Sequence, residues 1–331
     1  MNAEFMHRCL QLASGGRGNV ANGAMVGAVL VRDGKVIAEG FHAGYAQAHA
    51  EAQLFERFTG KVEPSDILYV NLEPCCHQGK TPPCTNLLIN KGVKTVVYGM
   101  LDPDVRVAGK GIAELQAAGV NVIGPMERAR CEYFNRGFIS VRSAERPWIT
   151  LKRAQTLYGV IAHDDGKPMK ITSPEQDAWS HQWLRGTHDA ILVGVGTILS
   201  DNPRLNRRCD QNNHCMEGSN EKYQPYKIVL DSSLRVPEDA KVVMEDSEHL
   251  IVITSPSAAE EKIAALQKRG VRVFKVPVKN ECFEWKKLWG ALTSPQDNFF
   301  GITSLLVEGG ARTWECFESQ RQFDERVELV G

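Results

Sequence analysis

Three side chains, His49, Cys75 and Cys84, must meet at one point if the first half of this 331-residue chain is to do chemistry. His49-Ala50-Glu51 opens a predicted helix, Pro74-Cys75 follows a predicted strand, and Cys84 opens another predicted helix. One imidazole and two thiolates around zinc leave the fourth position to water, the layout of a catalytic rather than a structural site. Zinc lowers the pKa of that water toward neutrality, so hydroxide exists at working pH. Glu51, two residues beyond His49, cannot point where His49 points. From the first turn of its helix it flanks the metal water and can shuttle the proton. A lone His-x-Glu is common, and free cysteines are often buried as small apolar groups; the joint occurrence is what carries information. Cys76 competes with Cys75 as a ligand, but Cys75 follows the proline directly and is preferred.

The length corresponds to roughly two domains of about 150 residues. With 43% apolar and 24% charged residues the composition is that of a folded protein. Basic and acidic residues number 39 and 40, a net charge of −1, so the chain has no strong electrostatic claim on nucleic acid or an anionic membrane. Its longest apolar runs, residues 95–101 and 190–195, fall far short of the about 20 residues that cross a bilayer. Residues 1–10 carry Glu4 and lack an apolar signal core, which predicts a cytoplasmic location. Nine cysteines are an odd number for a disulfide framework, and without export they are expected to stay reduced.

Periodicity predicts helices over 4–13, 48–58, 85–91, 112–118 and 126–135, and strands over 67–72, 95–99 and 120–123. Residues 26–31 and 36–41 flank Asp33-Gly34 and predict a tight hairpin. A short basic stretch, 137–147, is the expected boundary, dividing a unit 1–146 from a unit 147–331. Beyond it, strands over 148–153, 190–195, 227–230, 250–254, 271–276 and 304–307 alternate with helices over 174–185 and 258–268, which predicts a parallel, layered sheet. Residues 207–226 are polar and read as an exposed loop.

His-x-Glu followed by a downstream Pro-Cys is the pattern of zinc deaminases, in which the glutamate is general acid and base and not a ligand. There two residues separate the cysteines, whereas Cys84 is the ninth residue after Cys75, with Gly79 and Pro82-Pro83 between. The stretch Leu72-Glu73-Pro74-Cys75-Cys76-His77-Gln78-Gly79-Lys80-Thr81-Pro82-Pro83-Cys84 closely resembles the signature of the bifunctional riboflavin-biosynthesis deaminase/reductase family. Asp102-Pro103 with Val107-Ala108-Gly109-Lys110-Gly111, Val26-Gly27-Ala28-Val29 and Glu39-Gly40-Phe41-His42 match further blocks of that family. The resemblance spans nearly the whole chain and is most specific in the first half. It implies an α/β fold: an N-terminal cytidine-deaminase-like three-layer domain and a C-terminal dihydrofolate-reductase-like domain. It also implies zinc-dependent deamination of 2,5-diamino-6-ribosylamino-4(3H)-pyrimidinone 5′-phosphate, with His49, Cys75 and Cys84 as ligands and Glu51 as proton shuttle. His42, His77 and Lys80 would touch the substrate; independently, an ammonium at Lys80 suits a phosphorylated ligand. One position departs from the family, which writes Pro-Asn-Pro before its Val-Gly and binds the pyrimidine through that asparagine. Here Gly23 occupies the place, next to Asn22.

In the second half, Gly194-Val195-Gly196-Thr197 and Glu308-Gly309-Gly310 each follow a predicted strand, where glycines let backbone amides approach phosphate oxygens. Each alone is a weak signal, and two in one α/β unit point to a dinucleotide fold. Leu151-Lys152, Ile171-Thr172-Ser173-Pro174, Leu184-Arg185, Asp201-Asn202-Pro203 and Asp231-Ser232 resemble the reductase half of the same family. The resemblance implies hydride transfer from NADPH that turns the ribosyl group into ribityl. Gln155, Thr197, Asp201, Ser232, Gly309 and Gly310 would face the cofactor, and Arg185, Leu205, Arg208 and Glu308 the substrate. Arginine clasps phosphate bidentately, which suits Arg185 and Arg208. No fingerprint in the sequence distinguishes NADPH from NADH on physical grounds. The family's Ser-Leu-Asp-Gly appears here as Thr156-Leu157-Tyr158-Gly159, and its tryptophan before Ile-Thr is Lys170. The chain stops at Gly331, where family members continue through strands that help close the sheet and the dimer.

Four readings follow: the bifunctional enzyme; a deaminase with a catalytically altered reductase-like domain; a nucleic-acid base deaminase, which the net charge opposes; and a structural zinc protein, which would want a fourth protein ligand. The expected partner is a phosphorylated pyrimidine, with no nucleic acid or membrane, and the resemblance implies a homo-oligomer.

Overall fold

Asp33 and Gly34 adopt φ values of +49° and +72°, the two left-handed positions that a tight hairpin turn demands. They join the strands Gly27–Arg32 (β1) and Lys35–Phe41 (β2), which pair antiparallel. The computed structural model describes residues 1–77, 82–105, 107–161, 169–208, 223–296 and 298–331. It divides into two compact units, one formed by Met1–Ala144 with Pro295–Phe300 and the other by the remaining described residues from Glu145.

In the first unit, β1 also pairs antiparallel with Ile67–Val70 (β3), and Thr95–Tyr98 (β4) and Asn121–Ile123 (β5) continue parallel, giving the order β2-β1-β3-β4-β5. Alternate residues of these strands feed two separate cores, as the two-residue period of a strand requires. Ala28, Leu30, Leu68, Val70, Val96 and Tyr98 pack with Leu54 and Phe55 of the helix Ala50–Arg57 (α2), Leu88 of Cys84–Lys91 (α3) and Leu115 of Lys110–Ala117 (α4). Val29, Val31, Tyr69 and Val97 pack with Met6, Cys9 and Leu10 of Ala3–Ala13 (α1), Cys131 of Arg128–Phe134 (α5) and Phe138 of Arg136–Ala144 (α6). The result is three layers, helices on both faces of one sheet. Most of the stretch expected to hold the domain boundary, 137–147, is the helix α6: its polar exterior hides one buried face built on Gly137, Phe138 and Ser140.

The second unit is a seven-stranded sheet in which every pairing is parallel. Trp148–Gln155 (β6), Ala190–Gly194 (β7), Tyr226–Leu230 (β8), Leu250–Thr254 (β9), Arg272–Lys275 (β10), Ser304–Gly309 (β13) and Glu325–Val330 (β14) run in the order β10-β9-β8-β7-β13-β6-β14. Val278–Lys279 (β11) and Cys282–Phe283 (β12) form a separate small ladder. The helices are Pro174–Trp179 (α7), Val195–Asp201 (α8), Lys241–Met244 (α9), Glu260–Lys268 (α10), Trp285–Thr293 (α11) and Ala311–Ser319 (α12). A π-helical turn, Ser180–Arg185, extends α7 and carries Arg185; such turns recur at functional sites.

Gly40 lets α2 lie directly on β2. A Cβ there would sit 2.4 Å from the Ala50 carbonyl oxygen and 2.5 Å from the Leu54 nitrogen, both backbone atoms that cannot give way. Gly40→Ala should therefore cost about 1–3 kcal/mol, read as a lower urea midpoint, and should reduce bound zinc because α2 carries His49 and Glu51. An unchanged midpoint would show that α2 is not held by this contact.

Candidate functional site

His49 caps α2 in an extended conformation, Cys75 lies beyond β3, and Cys84 is the first residue of α3. Their ligand atoms all lie within 4.8 Å of one another. His49 Nδ1 is 3.4 Å from Cys84 Sγ and 3.5 Å from Cys75 Sγ. Tetrahedral zinc with bonds of about 2.1 Å to nitrogen and about 2.3 Å to sulfur separates such atoms by about 3.6 Å, so the donor set fits that ion. Cys76 is not part of the cluster. The Cys84 backbone N–H lies 3.4 Å from Cys75 Sγ. Hydrogen bonding with Cys84 first, and with His49 after it, pulls the Cys75 thiol down to about 4. Cys84, which shares the proton, is pushed up. Glu51 is 3% exposed; burial pushes its carboxyl above the usual range, reinforced by the charge of Cys75. A carboxyl so raised is a better proton acceptor than an ordinary one and can pass the proton on.

Residues that the sequence reading passed over hold this arrangement in place. Glu73 is buried, and its oxygens accept the N–H groups of Gly109 and Gly111 at 2.9 Å and of Asp102 at 3.2 Å. It thereby ties the segment leading into Pro74-Cys75 to the start of α4. Asn71 accepts from Gly27 N–H at 2.8 Å and donates to the Met25 carbonyl at 3.0 Å, while Asn135 accepts from Met25 N–H at 2.9 Å. Met25 follows Asn22-Gly23, so two buried amides fix the rim of the site.

A pocket of about 220 Å³ opens beside His49 and is lined by Asn22, Gly23, His42, His77 and Arg142, among others. The expected contacts His42 and His77 are thus brought together with Gly23, where the family's asparagine is missing, and with its neighbour Asn22. Arg142, on α6, adds a cation. A Cβ on Gly23 would lie 2.9 Å from the Val20 carbonyl oxygen, so the turn there is tight. His42 Nδ1 meets the Ala48 carbonyl at 3.0 Å and so donates, leaving Nε2 as acceptor; burial lowers its pKa. Lys80 lies outside the described residues.

In the second unit a cavity of about 580 Å³ is lined by Gly194, Thr197, Ser232 and Gly310, and a neighbouring one of about 330 Å³ by Lys152, Glu308, Gly309 and Gly310. Gly310 has φ +81°, and a Cβ on Gly194 would lie 2.5 Å from Thr313 Oγ1, so the cradle is one that side chains would obstruct. Asp201, at the exposed end of α8, and Gln155, which reaches Glu328, line neither. Arg185 does not present an open fork: Nε meets Glu308 at 2.8 Å and Nη1 the Asn206 carbonyl at 2.8 Å, with Nη2 also on Glu308. Three of its five N–H donors are thereby engaged. Leu205 is buried in the core at φ +49°, and exposed Arg208 meets His181 at 3.0 Å. Tyr158 is 94% exposed, and Lys170, also exposed, lies 3.9 Å from Asp177. Cys282 and Cys316, expected as free thiols, form a disulfide, since β12 and α12 bring their Cα atoms to 6.0 Å.

Fold and site together define a zinc deaminase joined to a reductase. Residues 1–100 match the cytidine and deoxycytidylate deaminase zinc-binding region, and residues 147–330 the RibD C-terminal domain. The riboflavin biosynthesis protein RibD of Aquifex aeolicus is 37% identical over 100% of this chain and 87% of its own length; that of Actinobacillus pleuropneumoniae is 36% identical over 93% and 77%. The solved structure of Acinetobacter baumannii RibD, form 1, is 30% identical, with a TM-score of 0.80 over 99% of this chain and 86% of that one. A Thermotoga maritima diaminohydroxyphosphoribosylaminopyrimidine deaminase/5-amino-6-(5-phosphoribosylamino)uracil reductase is 33% identical, with a TM-score of 0.76 over 96% and 83%. The chain belongs to the RibD family. It is a bifunctional deaminase and reductase of riboflavin biosynthesis that uses zinc and NADPH, and the reading with an altered reductase half is not favoured. Among the described residues no helix is long and apolar enough to cross a membrane.

Burial opposes ionisation of Glu308, but Arg185 outweighs it and holds the carboxyl at about 2. A carboxyl held below its ordinary 4.5 contributes its full stability above that value and loses it as pH falls through about 2. Arg185→Met leaves Glu308 buried without its partner and should cost about 3–5 kcal/mol at neutral pH. Urea midpoints of wild type and variant should converge as the pH is lowered; curves that stay parallel would mean that the pair contributes no linked stability.

Proposed function

We propose that His49, Cys75 and Cys84 hold the zinc, that Glu51 moves the proton, and that the pocket beside them takes 2,5-diamino-6-ribosylamino-4(3H)-pyrimidinone 5′-phosphate. The observation that carries this reading is the convergence of one imidazole and two sulfurs beside a buried carboxyl of raised pKa. Zinc supplies the Lewis acidity that makes water a nucleophile near neutral pH. Glu51 accepts a proton as water adds to the ring carbon and returns one to the departing nitrogen, so amine and water become carbonyl and ammonia. His42, fixed by Ala48, offers Nε2 as an acceptor to the pyrimidine, and His77 lines the same pocket. Asn22 takes over the amide contact that Gly23 cannot make, and Lys80 meets the phosphate.

In the second unit NADPH supplies the hydride that turns ribosyl into ribityl. Thr197 and Ser232 border the larger cavity, which supports them as the cofactor's side, and Glu308 borders the smaller one, which supports it as the sugar's side; Gly310 borders both, and Gly309, expected at the cofactor, borders the smaller. Arg185 acts chiefly by orienting Glu308, with two donors left for a substrate oxygen. The near-neutral net charge supports action on a free phosphorylated pyrimidine rather than on nucleic acid or a membrane, and the family likeness supports a cytoplasmic homo-oligomer.

Glu51→Gln should keep stoichiometric zinc while deamination falls by about 10²–10⁴-fold, followed as the amine-to-carbonyl mass shift of the pyrimidine. Full activity would sink the mechanism. Cys84→Ala should lose zinc and activity together, and retained stoichiometric zinc would mean that other thiols are the ligands.

A further inference from the structure

The larger cavity of the second unit carries charges that cancel. Arg235 and Arg312 line it, and so do Glu281 and Glu315, all four exposed. A site for a phosphorylated dinucleotide gains from each cation and loses to each carboxylate that faces it. The two acids stand on different supports. Glu315 lies within α12, whereas Glu281 is at the turn between β11 and β12, a ladder that pairs with no strand of the main sheet. Asn280 and Glu281 make that turn with φ values of +50° and +63°.

A two-stranded ribbon by itself is marginal in water. This one is tied to α12 by the Cys282–Cys316 disulfide, across a chain separation of 34 residues. Glu281 also meets Arg312 at 3.1 Å, but those side chains are 81% and 84% exposed, and such a pair contributes little. Phe283, next to the bridge, is buried and anchors the base of the ribbon whether or not the sulfurs are joined. Both bridged residues line the cavity, and Cys316 is half-buried, so the bond lies within reach of a reagent that enters there. Among the described residues Cys9, Cys75, Cys76, Cys84 and Cys131 remain thiols, so bridging singles out the pair at this cavity.

We propose that the Cys282–Cys316 disulfide is a redox latch: it holds Glu281 over the cavity and lowers the affinity for the anionic dinucleotide, and reduction releases it. The proposal rests on the larger cavity being the cofactor site. A dithiol donates two electrons and two protons, the bond between the sulfurs breaks, Cys282 and Cys316 become thiols, and the donor leaves as a disulfide. Exchange with a small disulfide such as oxidised glutathione runs the step backwards. With the latch open the tip of the ribbon carries Glu281 away and Arg312 loses its carboxylate neighbour. Two cations then face one acid.

Thiol titration of the full chain before and after dithiothreitol should show two additional thiols, and calorimetry with NADP⁺ reads the affinity of each state. Removing one facing carboxylate corresponds to about 3- to 10-fold in affinity, so Kd should fall by that factor on reduction. The difference should shrink as salt rises from about 0.05 M to about 0.5 M, which a purely steric change would not show. Cys316→Ser should bind like the reduced protein and ignore dithiothreitol. Glu281→Gln, which leaves both sulfurs in place, should bring the oxidised protein to the reduced affinity, and circular dichroism of both variants reports that the fold persists. The same Kd in both redox states, a response that survives in Cys316→Ser, or an unchanged Kd in oxidised Glu281→Gln would overturn the latch. Absence of NADP⁺ binding in either state would overturn the cofactor site itself, and the latch with it.

Discussion

Glu73 collects the backbone N–H groups of Asp102, Gly109 and Gly111 on one buried carboxylate, and the rest of the deaminase unit depends on that knot. The Pro74-Cys75 segment enters from a strand and Cys84 begins a helix, so nothing local fixes the gap between the two sulfurs. Anchoring the segment just before Cys75 to the start of α4 does. Gly111 completes the fit, because a Cβ there would lie 2.1 Å from the Pro74 carbonyl oxygen. A buried carboxylate satisfied by several N–H donors is a rigid joint, whereas one left unpaired would be costly. The convergence of His49, Cys75 and Cys84 is therefore supported by a hydrogen-bond cluster that includes none of the three.

The reductase unit solves its positioning problem with an ion pair. Arg185, at the end of a π-helical turn, and Glu308, at the end of β13, come from segments far apart in the chain, and each needs the other to be tolerated in a buried place. Parallel strands send all their C-terminal ends to one edge of the sheet, which is where open α/β sheets bind their ligands. Gly194 closes β7, the Asp231 turn follows β8, and Glu308-Gly309 close β13. The cavities lie where those ends meet.

Much of this was legible in the sequence, for identifiable reasons. Asp33-Gly34 announces its turn because few other pairs accept two positive φ values, and the buried strands announce themselves by unbroken apolar runs. The convergence of His49, Cys75 and Cys84 was legible because each sits beside an element boundary marked by its own residues. What stayed hidden acts at a distance. Glu73 bonds N–H groups 36 and 38 residues away, and Asn135 reaches back 110 residues to Met25; backbone partners leave no trace in composition or spacing. The helices α11 and α12 were missed because their buried faces are short and mixed, Leu288, Trp289 and Leu292 on the first and Thr313, Trp314 and Phe317 on the second, with Trp285 and Trp289 stacked at 5.3 Å. The Cys282–Cys316 pairing likewise follows from where β12 and α12 lie, not from any cysteine spacing.

The rim of the deaminase pocket is braced by Asn71 and Asn135, and amides do not ionise. A carboxylate or an imidazole in either place would have tied the shape of the entrance to acidity, opening or tightening it as protons came and went. With neutral braces the Met25 side of the doorway keeps its hydrogen bonds whatever the acidity. The acid–base behaviour of catalysis is then left to the groups inside, so a titration of the enzyme's rate reports on its chemistry rather than on its architecture.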